Sequence, residues 1–435
     1  MPDSLIHAWI SRRTAGVTAV AAAWFSIVLM CEFAFARLVR STPGGVDREP
    51  ECLLVLVACG VLGSFLAAAL FDAKAGTQGL TTYFRICFLT TLASVVLPMQ
   101  HSAYLVAALM GLGMGGLAAT LFSRLRSAVG RARLGWHIGM GVGLAHAACA
   151  LPWISQAPPT VQAVLVCVAA IMGSLVSGKL QVKFTGASNS SDYEVRIVKT
   201  WVLALVILTL MTSACFAIIQ RMELPAVASW KQGVVPWVNV AVSFFVAAVA
   251  GRMLDKGNRV SLMFGAFGLL AFAGAGLGFV DNLGSLPLIV YSAGAPIVWI
   301  CLMYYAARGG RPWQVAVVFS IAGWMASAVG ASATSGLPGL SVPVILVAGL
   351  TLSVALGWRW HKVGRFRRAG MVAVLLALSF GKFLLPVPSA ADYLYLSTLL
   401  PASRCGTFCP SAGSHPSLCH VIRDKAAFPV SNPTP

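Results

Sequence analysis

Few residues in this chain can do acid–base or ionic chemistry, so those few are informative. Only 10% of its 435 residues are Asp, Glu, Lys or Arg, against about 25% in a typical soluble protein. Glu32 is the one carboxylate that falls well inside a long apolar run, IVLMCEFAF. An ionisable group placed there is costly to keep, and such groups mark ligand sites or proton relays. A second run, GWHIGMGVGLAHAACALPW, holds His137 near one end and His146 about twelve residues along. At about 1.5 Å per residue, counting puts His146 and Glu32 at similar depth. We therefore expect a Glu32–His146 pair that binds a proton or orients a cationic group of a ligand. Histidine's unperturbed pKa of about 6.5 suits proton carriage. The plainer alternative has Glu32 reaching outward to an interface and His146 as a satisfied core histidine.

Softer candidates for the same site are Asn239, Trp299 and Trp324, polar or aromatic residues within otherwise apolar runs. Tyr304 and Tyr305 lie near the end of a run, where aromatic residues usually anchor a helix at the membrane surface.

A different chemistry is offered by GRMLDKGNR, residues 251 to 259, which concentrates charge between two long apolar runs. Gly251 permits two helices to approach closely. Asp255 can accept hydrogen bonds at a neighbouring helix N-terminus, where the dipole favours an anion. Lys256 and Arg259 can pair with helix C-termini or carboxylates. Asn258 tolerates the left-handed conformation better than most residues.

The elements that must position these residues follow from length and apolarity. A membrane span needs about 20 mostly apolar residues. Candidate spans fall at roughly 16–38, 51–71, 83–100, 103–123, 134–154 and 160–178, then at 200–220, 234–251, 260–280, 285–306, 313–334 and 340–358. Between the sixth and seventh lies a polar stretch containing GASNSSDYE, which reads as a solvated linker. The basic residues test the count. With the N-terminus inside, the inner loops hold Arg12, Arg13, Lys74, Arg85, Arg124, Arg126, Arg131 and Arg133. They continue through Lys179, Lys183, Arg196, Lys199, Arg252, Lys256, Arg259, Arg308 and Arg311 to the run RWHKVGRFRR. The outer loops hold only Arg37, Arg40, Arg48, Arg221 and Lys231. Lys and Arg favour the cytoplasmic side, and a missed span would invert the pattern downstream. The formal charge of +18 is therefore read as topology and not as a nucleic-acid surface.

Gly251, Asp255, Lys256, Asn258 and Arg259 lie between the eighth and ninth spans. Their order resembles the loop signature of the major facilitator superfamily, Gly-x-x-x-Asp-Arg/Lys-x-Gly-Arg. That signature occurs between the second and third spans of each six-helix half, and the eighth and ninth spans hold that place in the second half. Asn258 stands where the family has Gly. The first-half copy, in AALFDAKAGTQGL, keeps Asp72 but has Ala68 in place of Gly and no basic pair. The resemblance implies an all-α polytopic protein with six-plus-six helices and a loop that latches and releases as the halves rock.

The domain organisation expected is a first half at 1–178, a cytoplasmic linker at 179–199 and a second half at 200–358. A basic stretch with a further hydrophobic segment follows at 359–388, and a Pro- and Ser-rich tail at 389–435. Residues 369–388 read either as a thirteenth span or as an interfacial helix. The tail carries Cys405, Cys409, His415, Cys419 and His420, spaced more loosely than usual zinc pairs. The eight cysteines from Cys31 to Cys301 lie in or beside apolar runs and read as small buried hydrophobes.

Other chemistries are not supported. GLGMGG at 111–116 lies within a span with no strand before it, so it reads as close helix packing and not as a nucleotide loop. There is no nucleophile elbow, HExxH or Walker motif, and no cofactor is expected. The reading is a multi-pass protein of the cell membrane that moves a small molecule by alternating access, with protons as the candidate coupling ion and the lipid bilayer as its surroundings. The alternative is a facilitator-like sensor domain of a bacterial regulator without its helix-turn-helix module.

Overall fold

Each of the twelve apolar runs forms a helix. The computed structural model describes residues 2–70, 78–180, 192–221, 234–279, 283–309, 311–333 and 340–357, which lie in one folded unit. α1 is continuous, with α-helical stretches Pro2–Ile27 and Phe35–Arg40 around a π-helical segment, Val28–Ala34. α2 is Gly45–Ala69, α3 Gln78–Val96, α4 Met99–Val129, α5 Leu134–Ala150 and α6 Pro159–Ser177. α7 is Asp192–Arg221, α8 Val235–Asp255, α9 Arg259–Gly276 and α10 Leu286–Gly309. α11 joins Pro312–Val318, a π-helical Phe319–Met325 and Ala326–Ser332, and α12 is Val342–Gly357. Ten of these segments are long and apolar enough to cross a bilayer. The 17 residues of α5 and the 16 of α12 fall just short of the same length. Among the described residues there is no strand, as lipid demands of a chain that is not a closed barrel. Large apolar side chains such as Leu62, Phe245 and Val249 are more than half exposed, as a lipid-facing belt requires.

Proline and glycine set the ends. Pro98 precedes α4, and Gly130, at φ 81°, terminates it. Proline's missing N–H is harmless at a helix start. Two boundaries differ from the sequence reading. Span four was expected to end near residue 123, leaving Arg124 and Arg126 in a loop. The helix instead continues to Val129 and buries Arg124. Backbone hydrogen bonding persists through charged residues until a glycine breaks it, and composition alone does not register that. Likewise α2 begins at Gly45 and not near 51, so Asp47 and Glu49 occupy its first turns, where the helix dipole favours anions. Glu49 pairs there with Arg40.

Small residues bring helices together within the first half. Gly111 and Gly115 of α4 face α2, and Gly113 and Gly116 face Ile86 and Tyr83 of α3. A Cβ on Gly111 would stand 2.9 Å from the Cys59 Cβ. Ser64 of α2 donates to the carbonyl of Gly115 at 3.2 Å. α3 and α6 pack together through Phe84 on Gly173 and through hydroxyls of Thr81 and Ser177 2.6 Å apart.

Contacts between α1–α6 and α7–α12 follow a rule. α1 meets α7 through Phe33 and Phe216, whose rings are 5.6 Å apart. α4 meets α10 through Arg126, which donates to the Arg308 carbonyl at 2.7 Å. α2 meets α11, with Phe65 5.8 Å from Trp313, and α5 meets α8 along a line of glycines. First pairs with first, fourth with fourth, and second with fifth in both directions. A two-fold relation between six-helix halves produces this pattern.

Asp72, the further hydrophobic segment at 369–388, the basic run before it and the tail with its cysteines and histidines lie outside the described residues. So does most of the 179–199 linker.

Candidate functional site

Three helices from both halves meet at Trp24 of α1, His146 of α5 and Trp299 of α10. The Trp24 indole N–H donates to His146 Nε2 at 3.1 Å. The Trp24 and Trp299 rings lie 4.9 Å apart, tilted by 53°. Because Nε2 accepts, the proton of a neutral His146 ring sits on Nδ1. Trp299 is buried, while His146 keeps partial exposure.

The expected Glu32–His146 pair does not form: among the described residues no hydrogen bond or ion pair joins them. The reason is depth. His146 stands 12 residues into α5 from Leu134, while Trp24 is 10 and Glu32 18 residues on from Thr14, where the crossing stretch of α1 begins. Trp24 is therefore level with the histidine. Glu32 lies eight residues beyond Trp24, about 12 Å further along the helix.

Glu32 nevertheless lies on the seam between the halves. It belongs to the π-helical segment of α1, a local irregularity that recurs at functional sites. Its own carbonyl accepts from Gln220 Nε2 of α7 at 3.3 Å. Its neighbour Cys31 directs Sγ to Met114 Sδ of α4 at 3.1 Å. Cys149 of α5 and Tyr291 of α10 lie in its neighbourhood. No cation pairs with that carboxylate among the described residues.

The softer candidates separate. Asn239 of α8 is 2% exposed, and neither its Oδ1 nor its Nδ2 has a hydrogen-bond partner among the described residues. One turn on, Ser243 donates to the Ser292 carbonyl of α10 at 3.1 Å. Trp324 lies against Gly60 of α2, and no hydrogen bond or ring contact joins it to Trp24, His146 or Trp299. His137 directs Nδ1 to the Arg133 carbonyl at 2.7 Å, a local helix-start contact. Sequence reasoning passed over Trp24, Gln220 and Tyr291. The available signal was position: a Trp well inside a span is too deep to be an interface anchor.

The arginine-rich end of the bundle holds the second constellation. Asp255 accepts the backbone N–H groups of Gly135 and Trp136, at 2.7 and 2.8 Å, from the start of α5. Gly251 lies against Gly135 and Gly139, and a Cβ there would stand 2.9 Å from the Gly139 Cα. The left-handed residue of the turn is Gly257, at φ 84°, and not Asn258, whose φ is −79°. Glycine adopts that region without Cβ strain, so the turn uses it one position earlier than expected. Lys256 is exposed, and Arg259 packs on Tyr304. Tyr304 and Tyr305 are buried, so they are not the surface anchors their positions implied.

Among solved structures, the chain is similar to the crystal structure of the human organic anion transporter MFSD10 (TETRAN). The likeness covers 86% of this chain and 99% of that one, with 14% identity and a TM-score of 0.51. No protein-family model matches the sequence, and a search of the curated proteins returns no match. At that identity the likeness is one of fold alone, and the chain shares the six-plus-six helical fold of that transporter.

Proposed function

We propose that the chain is a secondary transporter of a small molecule, working by alternating access between its halves. The supporting observation is the Trp24–His146–Trp299 contact, assembled by α1, α5 and α10 across the seam, with the Glu32 carboxylate, unpaired among the described residues, farther along it. Facilitator-type carriers bind substrate where two repeats meet and expose it by rocking one against the other. The positive-inside rule assigns the arginine-rich end to the cytoplasm of the cell membrane, with the N-terminus inside. In the state described, that end is held shut by Asp255 on α5 and Arg126 on α10.

The side chains favour one substrate class. The solved neighbour is described as an organic anion transporter. Here the seam offers a carboxylate, a histidine and two indoles. Indole faces attract cations, and a carboxylate pairs with them. A cationic or neutral amphipathic molecule with an aromatic or aliphatic body fits better than an anion. Glu32 and His146 are the groups able to carry a coupled proton, and Asn239 supplies a buried amide still without a partner.

The test uses purified protein in proteoliposomes with an imposed pH gradient. A library of cationic and neutral metabolites is screened for uptake by wild type and Glu32→Gln. Gradient-dependent uptake that is lost in the variant supports the reading. Equal uptake by both proteins removes Glu32 from it. A ligand that binds but is never moved favours a sensing role instead.

A further inference from the structure

We propose that the arginine-rich end carries an anion-binding site made by Arg259 and Arg308, which now share the Tyr304 hydroxyl, with the Tyr305 hydroxyl as a further donor. The site is separate from the Trp24–His146–Trp299 contact and does not depend on the substrate reading.

Arg308 lies in the last turn of α10, is only 8% exposed, and directs Nη1 to the Tyr304 hydroxyl at 2.8 Å. Arg259 opens α9 and directs Nη2 to the same oxygen at 3.5 Å. Their guanidinium carbons stand 5.8 and 5.7 Å from the Tyr304 ring centroid. Two cations thus converge on one neutral oxygen, which has two lone pairs to give. The Nε of each arginine is buried without an acceptor, and so is the hydroxyl of Tyr305, which is 0% exposed.

Among the described residues no carboxylate balances this charge, and the one ion pair is Arg40–Glu49. Asp255, on the loop that leads to Arg259, already accepts from Gly135 and Trp136. The group arriving from α4 is another cation, Arg126, on the Arg308 carbonyl. From α7 comes Trp201, whose ring is stacked 5.3 Å from Tyr305. Buried guanidinium groups left without an anion are strongly disfavoured. An oxyanion with several acceptors can take a guanidinium edge in fork geometry, Nε together with an Nη, and a hydroxyl donor as well. The chemistry fits a phosphate, supplied either free or as the headgroup of an anionic phospholipid. Since the Arg308 carbonyl also receives Arg126 from the other half, a bound anion holds the arginine-rich end shut.

The experiment measures thermal unfolding of the full chain in nanodiscs of phosphatidylcholine alone or with phosphatidylglycerol. Sodium phosphate is titrated against sodium chloride at equal ionic strength. A ligand that binds only the folded state raises the unfolding midpoint with concentration. In phosphatidylcholine, phosphate is expected to raise the wild-type midpoint. The apparent affinity falls roughly tenfold or more in Arg259→Gln and Arg308→Gln, each losing a charge-assisted bond. Tyr304→Phe keeps both cations and removes the acceptor they share, so its phosphate response is enlarged. That variant tests the site even where Arg308→Gln fails to fold. If the source is lipid, phosphatidylglycerol raises the midpoint by itself and blunts the phosphate response. If the source is free phosphate, the two lipid mixtures respond alike. A wild type indifferent to both phosphate and phosphatidylglycerol overturns the proposal. So do Arg259→Gln and Tyr304→Phe proteins that respond as wild type does.

Discussion

Asp255 and Gly135 belong to opposite halves, and the Asp255 carboxylate accepts the Gly135 backbone N–H at 2.7 Å. Its second oxygen takes the N–H of Trp136 at 2.8 Å. The first N–H groups of a helix have no partner within it. One side chain at the end of α8 therefore satisfies two open donors of α5 and places negative charge at the positive end of its dipole. The glycine is part of the arrangement, because a Cβ on Gly135 would stand 2.8 Å from Asp255 Oδ1. Together with Arg126 on the Arg308 carbonyl, this contact ties the halves at one end of the bundle.

Asp255→Asn is expected to loosen that end selectively. The amide keeps the shape but loses the charge and can accept with only one of its two heavy atoms. The loss is about 1–2 kcal/mol, the scale of a charge-assisted bond plus a dipole contact. Thiol-reactive labelling of single cysteines placed at the start of α5 should speed up in the variant. Cysteines at the start of α2 should be labelled at the wild-type rate. Unchanged labelling at α5 would show that Asp255 does not hold the seam.

Gly251→Ala should destabilise the protein, whereas Gly265→Ala should not. At Gly251 the added methyl meets the Gly139 Cα at 2.9 Å and runs into the Gly135 carbonyl, so two helix backbones must separate. Such overpacking costs about 1–3 kcal/mol. At Gly265 nothing lies within 4 Å, and alanine's better helix propensity applies. Unfolding midpoints in detergent should fall for the first and hold or rise for the second. Equal behaviour would mean that the α5–α8 approach does not depend on a bare backbone.

The fold was legible because lipid leaves the chain little choice: runs of apolar residues must close their backbone hydrogen bonds as helices. All twelve runs are helical, from α1 to α12. The ends were less legible, since Arg124 and Arg126 look like a loop while the helix continues to Gly130. Glu32, His146 and Asn239 stood out as polar residues in apolar runs, which composition detects. Their partners did not stand out. Trp24 in an apolar run looks like core, and counting residues misjudged the depth of Glu32 relative to His146. The convergence of Arg259 and Arg308 on Tyr304 joins two helices whose packing no local pattern encodes.

Asn239→Leu should stabilise the ligand-free protein. The amide is 2% exposed with both polar atoms unpartnered, and leucine has a similar volume. A buried polar group without a hydrogen bond costs about 1–3 kcal/mol, and the substitution recovers part of that. If the amide is held for a ligand, the same variant loses substrate-dependent stabilisation. Unfolding midpoints with and without a transported compound check both halves. A lower midpoint in the ligand-free variant would show that the amide has a partner after all.

Trp24→Phe separates the two contacts that Trp24 makes. A phenyl ring still packs on Trp299 but has no N–H for His146, so Nε2 of the histidine loses its donor. The fold should survive, because most of the apolar area stays buried. Losing a neutral hydrogen bond costs about 0.5–1.5 kcal/mol. What should change is selectivity. With Nε2 free to take a proton or a ligand N–H, the variant should bind cationic compounds more weakly, as a protonated imidazole repels them. Glu32→Gln should weaken the same compounds for a different reason, the loss of the attracting charge. Because Glu32 lies about 12 Å from Trp24 along α1, the two changes should combine additively, as independent sites do. Binding of a cationic substrate to wild type, the two single variants and the double variant measures this. A strong interaction term would mean that substrate or a proton couples Glu32 to His146 directly, forming the pair that the structure does not show.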